Sequence, residues 1–519
     1  WGGFVASGGA AYFRAAAPST LLAAAVSSPN AWLCSFSCNG SEASVDDEGP
    51  GQRSPLGIVE SLRIAVVATQ DEFDETNYVD SEVDVSSAGN GRKFATHAML
   101  RSLAVAGDVV IVALLILDIK ANSRSGSHVA PRPLPEDGPE RIEVSIHGGP
   151  SLCAWRGDYI QLLVATSAEL VADIAVATSS RRDVLSLLHG GIRARKHVFM
   201  GHDYNLPYGP WGAAQHSATA LALHRVLLDR TFALCTSQHL ASFLCRWSSG
   251  RVHSRCCYCA DYEYFEGHSP SPTGAPRGEA QQAPRYVTLV SPCPAKGLSI
   301  FLRLAMTLTD VQFLAVSTVW TRTIHEAQLN RLPNVTVLRG GSDVDAIYAK
   351  TSVLVVPSLW QEAYGLVAVE AQLRGIPVVS TDAYGLSEAN FIPELKVPEV
   401  RIVQDLRTRS VHRGRTLDEL EGVLPLDRVE PGSTTDEREQ RAMRAHFDVA
   451  SSDEAAGFVE RVSRLCTHPV EREAFGRLAR ARAEGFVVAR RGRFLALLRS
   501  LIKEAPAHGS DPSSLTGSS

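Results

Sequence analysis

The stretch "PSLWQEAYGLVAVEAQLRGIPVVSTDAYGLSEA", Pro357–Ala389, decides how this chain is read. On a helical wheel at roughly 100° per residue, Leu366, Val369 and Leu373 form one apolar arc and Val367 and Ala371 another. Glu370 projects between the two arcs, and Glu362 stands just before the helix begins. Burying an unpaired carboxylate costs several kcal/mol, so Glu370 needs a partner. Two kinds fit: a cation, such as Arg374 one turn on, or the hydroxyls of a ligand.

Outward from that helix the pattern is strand, helix, strand. "RYVTLVS", "VQFLAVS", "NVTVLRG", "SVLVVPS" and "IPVVST" are short β-branched runs suited to a buried parallel sheet, with the helix "GLSIFLRLAMTL" between the first two. An earlier series has the same character. It starts with "SLRIAVVAT" (Ser61 to Thr69). A Gly-rich turn "SSAGNGRKF" follows, then a helix with Phe94, Met99, Leu100 and Leu103 on one face, then "VVIVALLIL" (Val109 to Leu117). Further strands are expected at Arg141 to His147, Leu170 to Thr178, Lys196 to Gly201 and Thr231 to Ser237. The expected fold class is α/β, with two doubly wound, Rossmann-like parallel-sheet domains whose strand C-termini face across a cleft.

Composition marks the boundaries. Residues 1–58 are Ala- and Ser-rich and are read as a disordered or targeting extension, since the first 41 residues carry no acidic side chain. The chain starts at Trp1 rather than Met, which reads as a fragment or processed form. Residues 59–265 are expected to form the first domain and the Pro/Gly/Ser-rich 266–284 a linker. The second domain is placed at 285–475, with a polar insertion at about 405–444, followed by closing helices to 505 and a disordered tail at 506–519.

The totals exclude several classes. A net charge of -5 and a pI near 6.4 give no signal for nucleic acid or an anionic membrane. The apolar run at Val109 to Leu117 is about half the length a membrane span requires. The expected compartment is the cytoplasm, with a transit or signal segment left open. Ten cysteines are too sparse for a disulfide scaffold. Cys245, Cys256, Cys257 and Cys259 cluster around His253, but their spacing departs from zinc-site pairs, and free thiols are expected. Sequons occur at Asn39 and Asn334, the latter at a strand approach.

With "PSLW" before it and "GIPVVSTDAYGLSEA" after it, the segment "EAYGLVAVE" resembles the donor-binding segment of retaining glycosyltransferases of the GT-B fold, family 4 (glycosyl transferases group 1). "VSPCPAKGL" (Val290 to Leu298), "NVTVLRGGSDVDAIYAKTSVLVVPS" and "RVSRLCTHPVEREAFGRLARARAEGF" resemble other parts of that family. The resemblance covers Arg285 to Ala389 and a section near the C-terminus, and is looser over the first domain. It implies transfer of a hexose from a nucleoside diphosphate sugar, such as a UDP-sugar, to a hydroxyl acceptor that is a carbohydrate, lipid or small molecule. No cofactor or metal is implied.

By that resemblance Glu370 holds the ribose hydroxyls and Glu362 the transferred sugar, a carboxylate being a bidentate acceptor for a diol. Gly365, Leu366 and Val367 would turn the helix N-terminus to the diphosphate. Lys296 supplies a cation to the leaving diphosphate, and Ser291 stands near the place where relatives carry an arginine, so Arg285 or Arg339 is a substitute. In the first domain Gly89, Asn90 and Gly91 form either a sugar and acceptor loop or an ordinary turn. His202, beside Asp203, is either a donor-sugar contact or a structural pair, and Tyr204, Tyr208 and Trp211 line an acceptor surface or pack the loop. Asp343 and Asp345 are read as helix caps rather than a metal pair. The alternatives are a non-catalytic nucleotide-sugar binder, or an epimerase or phosphorylase, of the same fold.

Overall fold

Unbroken β-branched runs make the first sheet. β1 (Leu62–Thr69) is buried along nearly its whole length, which is what a central parallel strand covered on both faces requires. A computed structural model describes residues 61–69, 91–106, 108–117, 138–146, 149–166, 170–202, 218–266, 286–318, 321, 323–340, 344–359, 361–398 and 449–504. The expected extension at 1–58, nearly all of the 266–284 linker, the 405–444 insertion, the 506–519 tail, Asn39, Gly89, Asn90, Asp203, Tyr204, Tyr208, Trp211, Arg285 and Asp343 lie outside these residues.

After β1 come α1 (Gly91–Ala104), β2 (Val109–Ile116), β3 (Glu140–Val144), β4 (Leu152–Gly157), α2 (Tyr159–Thr166), β5 (Leu170–Ala177), α3 (Arg182–Gly191) and β6 (Ile192–Gly201). α4 (Ala218–Asp229), β7 (Phe232–Cys235), α5 (Gln238–Trp247) and β8 (Ser254–Cys256) complete an eight-stranded sheet of order β3-β4-β2-β1-β5-β6-β7-β8. β4 and β8 carry no strong sequence signal. β3 is antiparallel to β4, against the expected parallel strand. Only Ser145 to Ser151 joins them, and a parallel crossover needs about a dozen residues or more.

The second sheet follows the same logic through β9 (Tyr286–Val290), α6 (Leu298–Thr307), β10 (Phe313–Ser317), α7 (Thr323–Leu329), β11 (Val335–Arg339), α8 (Val344–Lys350) and β12 (Thr351–Val356). α9 (Leu366–Leu373), β13 (Val378–Asp382), α10 (Leu386–Ala389) and β14 (Lys396–Pro398) finish a six-stranded, all-parallel sheet of order β11-β10-β9-β12-β13-β14. In both sheets the strand order reverses once, at β1/β5 and at β9/β12, and such switch points open a crevice at the strand C-termini.

α11 (Ser452–Thr467), α12 (Pro469–Arg490) and α13 (Arg493–Lys503) close the chain, and α12 runs unbroken across residues 475 and 476. α11 buries Phe458, Val462 and Leu465 in the core beneath the second sheet. α13 returns to the first half and shares one core with both sheets, in which Ile64, Val66, Tyr262, Val369, Phe494 and Leu498 all lie. Arg499–Asp108 and Arg490–Asp261 pairs tie this return to the first half. No helix among the described residues is long and apolar enough to cross a membrane.

The Asn334 sequon is structural. Its buried amide nitrogen donates to the carbonyls of Ala305, Leu308 and Val311 at 3.0, 3.2 and 3.1 Å, closing the end of α6 onto β11. Asn334→Ala is expected to cost about 2 kcal/mol in urea unfolding, since buried carbonyls lose their donor; a change below roughly 0.5 kcal/mol would contradict that role.

The clustered cysteines are free thiols: Cys257 and Cys259 are buried in the shared core, Cys256 is half-buried and Cys245 exposed. Burial pushes the Cys256 and Cys259 thiols up to about 12.

Candidate functional site

Three loops at the C-terminal ends of β9, β12 and β13 meet around Glu362. After β9 the chain takes a tight turn at Pro294–Lys296 and leaves it through Gly297 at φ +81. A Cβ there would lie 2.0 Å from the Pro357 carbonyl oxygen, so only glycine lets the loop reach the β12 loop this closely. The Leu359 N–H donates to the Ala295 carbonyl at 2.9 Å, pinning the same two loops. From the other side the Gly385 N–H, past β13, donates to the Glu362 carbonyl at 3.0 Å. Glu362 is therefore fixed through its backbone before its side chain makes any contact.

That side chain meets Lys296. Lys296 Nζ lies 2.5 Å from Glu362 Oε1, and Ser358 Oγ donates to the same oxygen at 2.6 Å. Burial works against the Lys296 ammonium, but the Glu362 carboxylate and its hydrogen bond outweigh it and hold the pKa above the ordinary lysine value. A raised folded-state pKa means the pair contributes fully below the ordinary value of 10.5 and is lost only as pH rises through the raised one. Lys296 stays about a third exposed, at 32% of its side chain, and can meet a ligand as well as Glu362.

Gly365 caps α9 at φ +116, and a Cβ on it would meet Leu386 Cδ1 at 2.8 Å. No side chain caps this helix start, and the first N–H groups of a helix lack intrahelical acceptors. Half-buried Leu366 and Val367 open the helix, four and five residues after Glu362 in the chain.

Glu370 is 7% exposed, as its place between two apolar arcs requires. Its partners are two tyrosines rather than a cation: Tyr264 donates to Oε1 at 3.0 Å and Tyr348 to Oε2 at 2.9 Å. Burial first, and then the Glu370 charge, raises both phenols well above their ordinary value, so both remain protonated donors. Arg374, the candidate cation, instead reaches the Glu370 backbone carbonyl at 2.9 Å and pairs with Asp345 at 2.6 Å. Its guanidinium stacks 4.7 Å from the Tyr348 ring centroid, holding that phenol in place. Asp345, in the first turn of α8, is thus an ion-pair partner rather than a cap alone.

Ser291 sits at the C-terminal end of β9 in a left-handed conformation, φ 59, with its hydroxyl 2.7 Å from that of Thr318. Arg339 ends the edge strand β11, two strands away from β9, and is exposed. In the first half, Gly91 is the opening residue of α1 rather than part of a loop. His202 directly follows β6, half-buried at the sheet's C-terminal edge. One strand over, the N-terminus of α5 meets the second half: the Gln238 and His239 N–H groups donate to the Glu388 carboxylate at 2.9 and 2.7 Å, as Tyr258 does at 2.6 Å. The His239 and Tyr384 rings meet edge-on at 5.2 Å. The C-terminal edges of the two sheets therefore meet at this contact, and His202 follows the strand next to β7. Tyr264, Tyr348, Ser358 and Glu388 were not singled out in the sequence. Ser358 stood inside the quoted "PSLW", whereas nothing local marks Tyr264.

Residues 285–400, which hold all of these second-half groups, match the family model described as Glycosyl transferases group 1. Sucrose-phosphate synthase from Thermosynechococcus elongatus superposes with a TM-score of 0.52 at 16% identity, over 86% of this chain and 100% of that one. The architecture is GT-B. Anabaena HepE, solved in complex with UDP-glucose, aligns with a TM-score of 0.46 at 14% identity, over 85% of this chain and 100% of its own. A search of curated protein sequences finds no match. Lys296 and Glu362 stand in the loops that follow β9 and β12, the start of α9 follows the same β12 loop, and His202 follows β6. Among the described residues, no group of three or more His, Cys, Asp or Glu is arranged to hold a metal ion.

Proposed function

We propose that this chain is a retaining glycosyltransferase of family 4 that moves a hexose from a nucleoside diphosphate sugar to a hydroxyl acceptor. The observation that carries the reading is the cluster at the β9/β12 switch point. A partly exposed lysine, a carboxylate it orients and an uncapped helix start converge there, within the stretch matched by the family model.

In this reading the diphosphate sits against the α9 N-terminus, where backbone N–H groups and the helix dipole favour anions. Lys296 neutralises charge as the diphosphate leaves, a task that needs no resident metal or cofactor. Glu362, fixed by Lys296 and Ser358, keeps its other oxygen for hydroxyls of the transferred sugar. Glu370 accepts from the ribose diol. The sugar's C1–O bond to phosphate breaks as the acceptor oxygen bonds C1 on the same face, and the acceptor proton passes to the departing phosphate oxygen. Neither glutamate acts as nucleophile. His202, and the segment of Gly89 and Asn90 leading into Gly91, would meet the sugar and acceptor from the first domain.

A thermal-shift panel of UDP-glucose and other nucleoside diphosphate sugars tests the reading. One or two donors are expected to raise the Tm of the parent, and Glu370→Ala to abolish that response while remaining folded. Equal stabilisation of parent and variant would count against the ribose role, and absence of transfer to any acceptor would leave a binding protein.

A further inference from the structure

The two phenols on Glu370 do more than neutralise it. A carboxylate offers about four acceptor positions, two on each oxygen. Tyr264 takes one position on Oε1 and Tyr348 one on Oε2, so each oxygen keeps acceptor capacity beyond its phenol. That capacity, one acceptor on each oxygen, suits the two hydroxyls of a vicinal diol.

The carboxylate cannot swing to serve another geometry, because both phenols are themselves anchored. Tyr348 is held by Arg374 stacking on its ring, with a further contact from its hydroxyl to the Val367 carbonyl at 3.3 Å. Tyr264 comes from the segment that leaves the first sheet. Its N–H donates to the Cys259 carbonyl at 3.0 Å, its ring packs edge-on against Phe265 at 4.9 Å, and Arg101 of α1 donates to the neighbouring Glu263 carbonyl at 3.1 Å. The first half of the chain thus sets one oxygen of a carboxylate that belongs to the second.

Resting on the donor-site reading above, we propose that Tyr264 and Tyr348 are positioning residues that aim Glu370 at the 2′,3′-diol of a ribonucleotide, and so make the site select ribonucleotides over 2′-deoxyribonucleotides. Remove either phenol and one carboxylate oxygen loses its fixed donor. The group then rotates, and the diol loses its matched pair of acceptors. The 2′-deoxy ligand, which places a single hydroxyl on the carboxylate, is less sensitive to the change.

Calorimetric titration of the full chain with UDP, GDP and ADP and with their 2′-deoxy counterparts tests this. The parent is expected to bind one ribonucleotide about tenfold more tightly than its deoxy form, the worth of one hydrogen bond to a charged group. Tyr264→Phe is expected to bring that ratio close to one by weakening the ribonucleotide more than the deoxy form. Tyr348→Phe should do the same, and stands in if the first variant does not fold. A phenol that serves only the core would lower the Tm and weaken both ligands alike. A ratio that is unchanged or increased in the folded variants overturns the proposal, and so does a parent that binds both forms equally. A parent that binds none of the three ribonucleotides overturns the donor reading itself.

Discussion

Lys296→Ala is expected to lower kcat by about a hundred- to a thousandfold, the effect of removing one preorganised charge partner from a developing anion. The ammonium lies 2.5 Å from Glu362 and remains partly exposed, so it both sets the sugar-binding carboxylate and meets the leaving diphosphate. Losing it does two things at once. The departing phosphate loses its cation, and Glu362, whose side chain is only 14% exposed, loses its ion pair and keeps the Ser358 hydroxyl as donor. Lys296→Arg should restore only part of the rate, because a planar fork does not take the place of a compact ammonium. Steady-state turnover of the donor identified by thermal shift gives the answer. A kcat for Lys296→Ala within about threefold of the parent would remove Lys296 from the chemistry.

Gly297→Ala carries the largest expected stability effect, about 3 kcal/mol or more by urea unfolding. Two costs add. Alanine in the left-handed region costs roughly 1–2 kcal/mol, and the new methyl would stand 2.0 Å from the Pro357 carbonyl oxygen, a contact only backbone movement can relieve. Gly250 isolates the first cost. It has nearly the same φ, +80, but nothing within 4 Å of a built Cβ, so Gly250→Ala should cost only about 1 kcal/mol. Equal losses in the two variants would show that the close approach to Pro357 contributes nothing. Because the β9 and β12 loops meet at that point, Gly297→Ala is also expected to displace Lys296 from Glu362 and to lose donor binding.

Much of the scaffold was legible because a parallel strand is buried on both faces and must be written as a continuous apolar run. "LRIAVVAT", "VVIVALLI" and "TSVLVV" carry that mark, and each is a central strand. β4 and β14 were not legible. β4 includes Arg156, which is paired with Glu140 across the hairpin, and β14 spans only Lys396–Pro398, so neither is apolar enough or long enough to stand out. The antiparallel turn of β3 was hidden for a related reason. Strand direction depends on the length of a connection between two strands, and one of those strands was unseen.

The residue order by itself determined the α/β class, the paired parallel sheets and the segment in which Lys296, Glu362, Gly365 and Glu370 stand. Those features follow from hydrophobic period and local turn chemistry, which act over a few residues. Tertiary structure alone decided who answers Glu370. A cation one helical turn away was the local candidate, yet Arg374 turns to Asp345, and the carboxylate is met by Tyr348 and by Tyr264, which lies 106 positions away in the chain. A buried charge takes whatever donors the packed core brings within about 3 Å, and no periodicity records a donor supplied by the other half of the molecule.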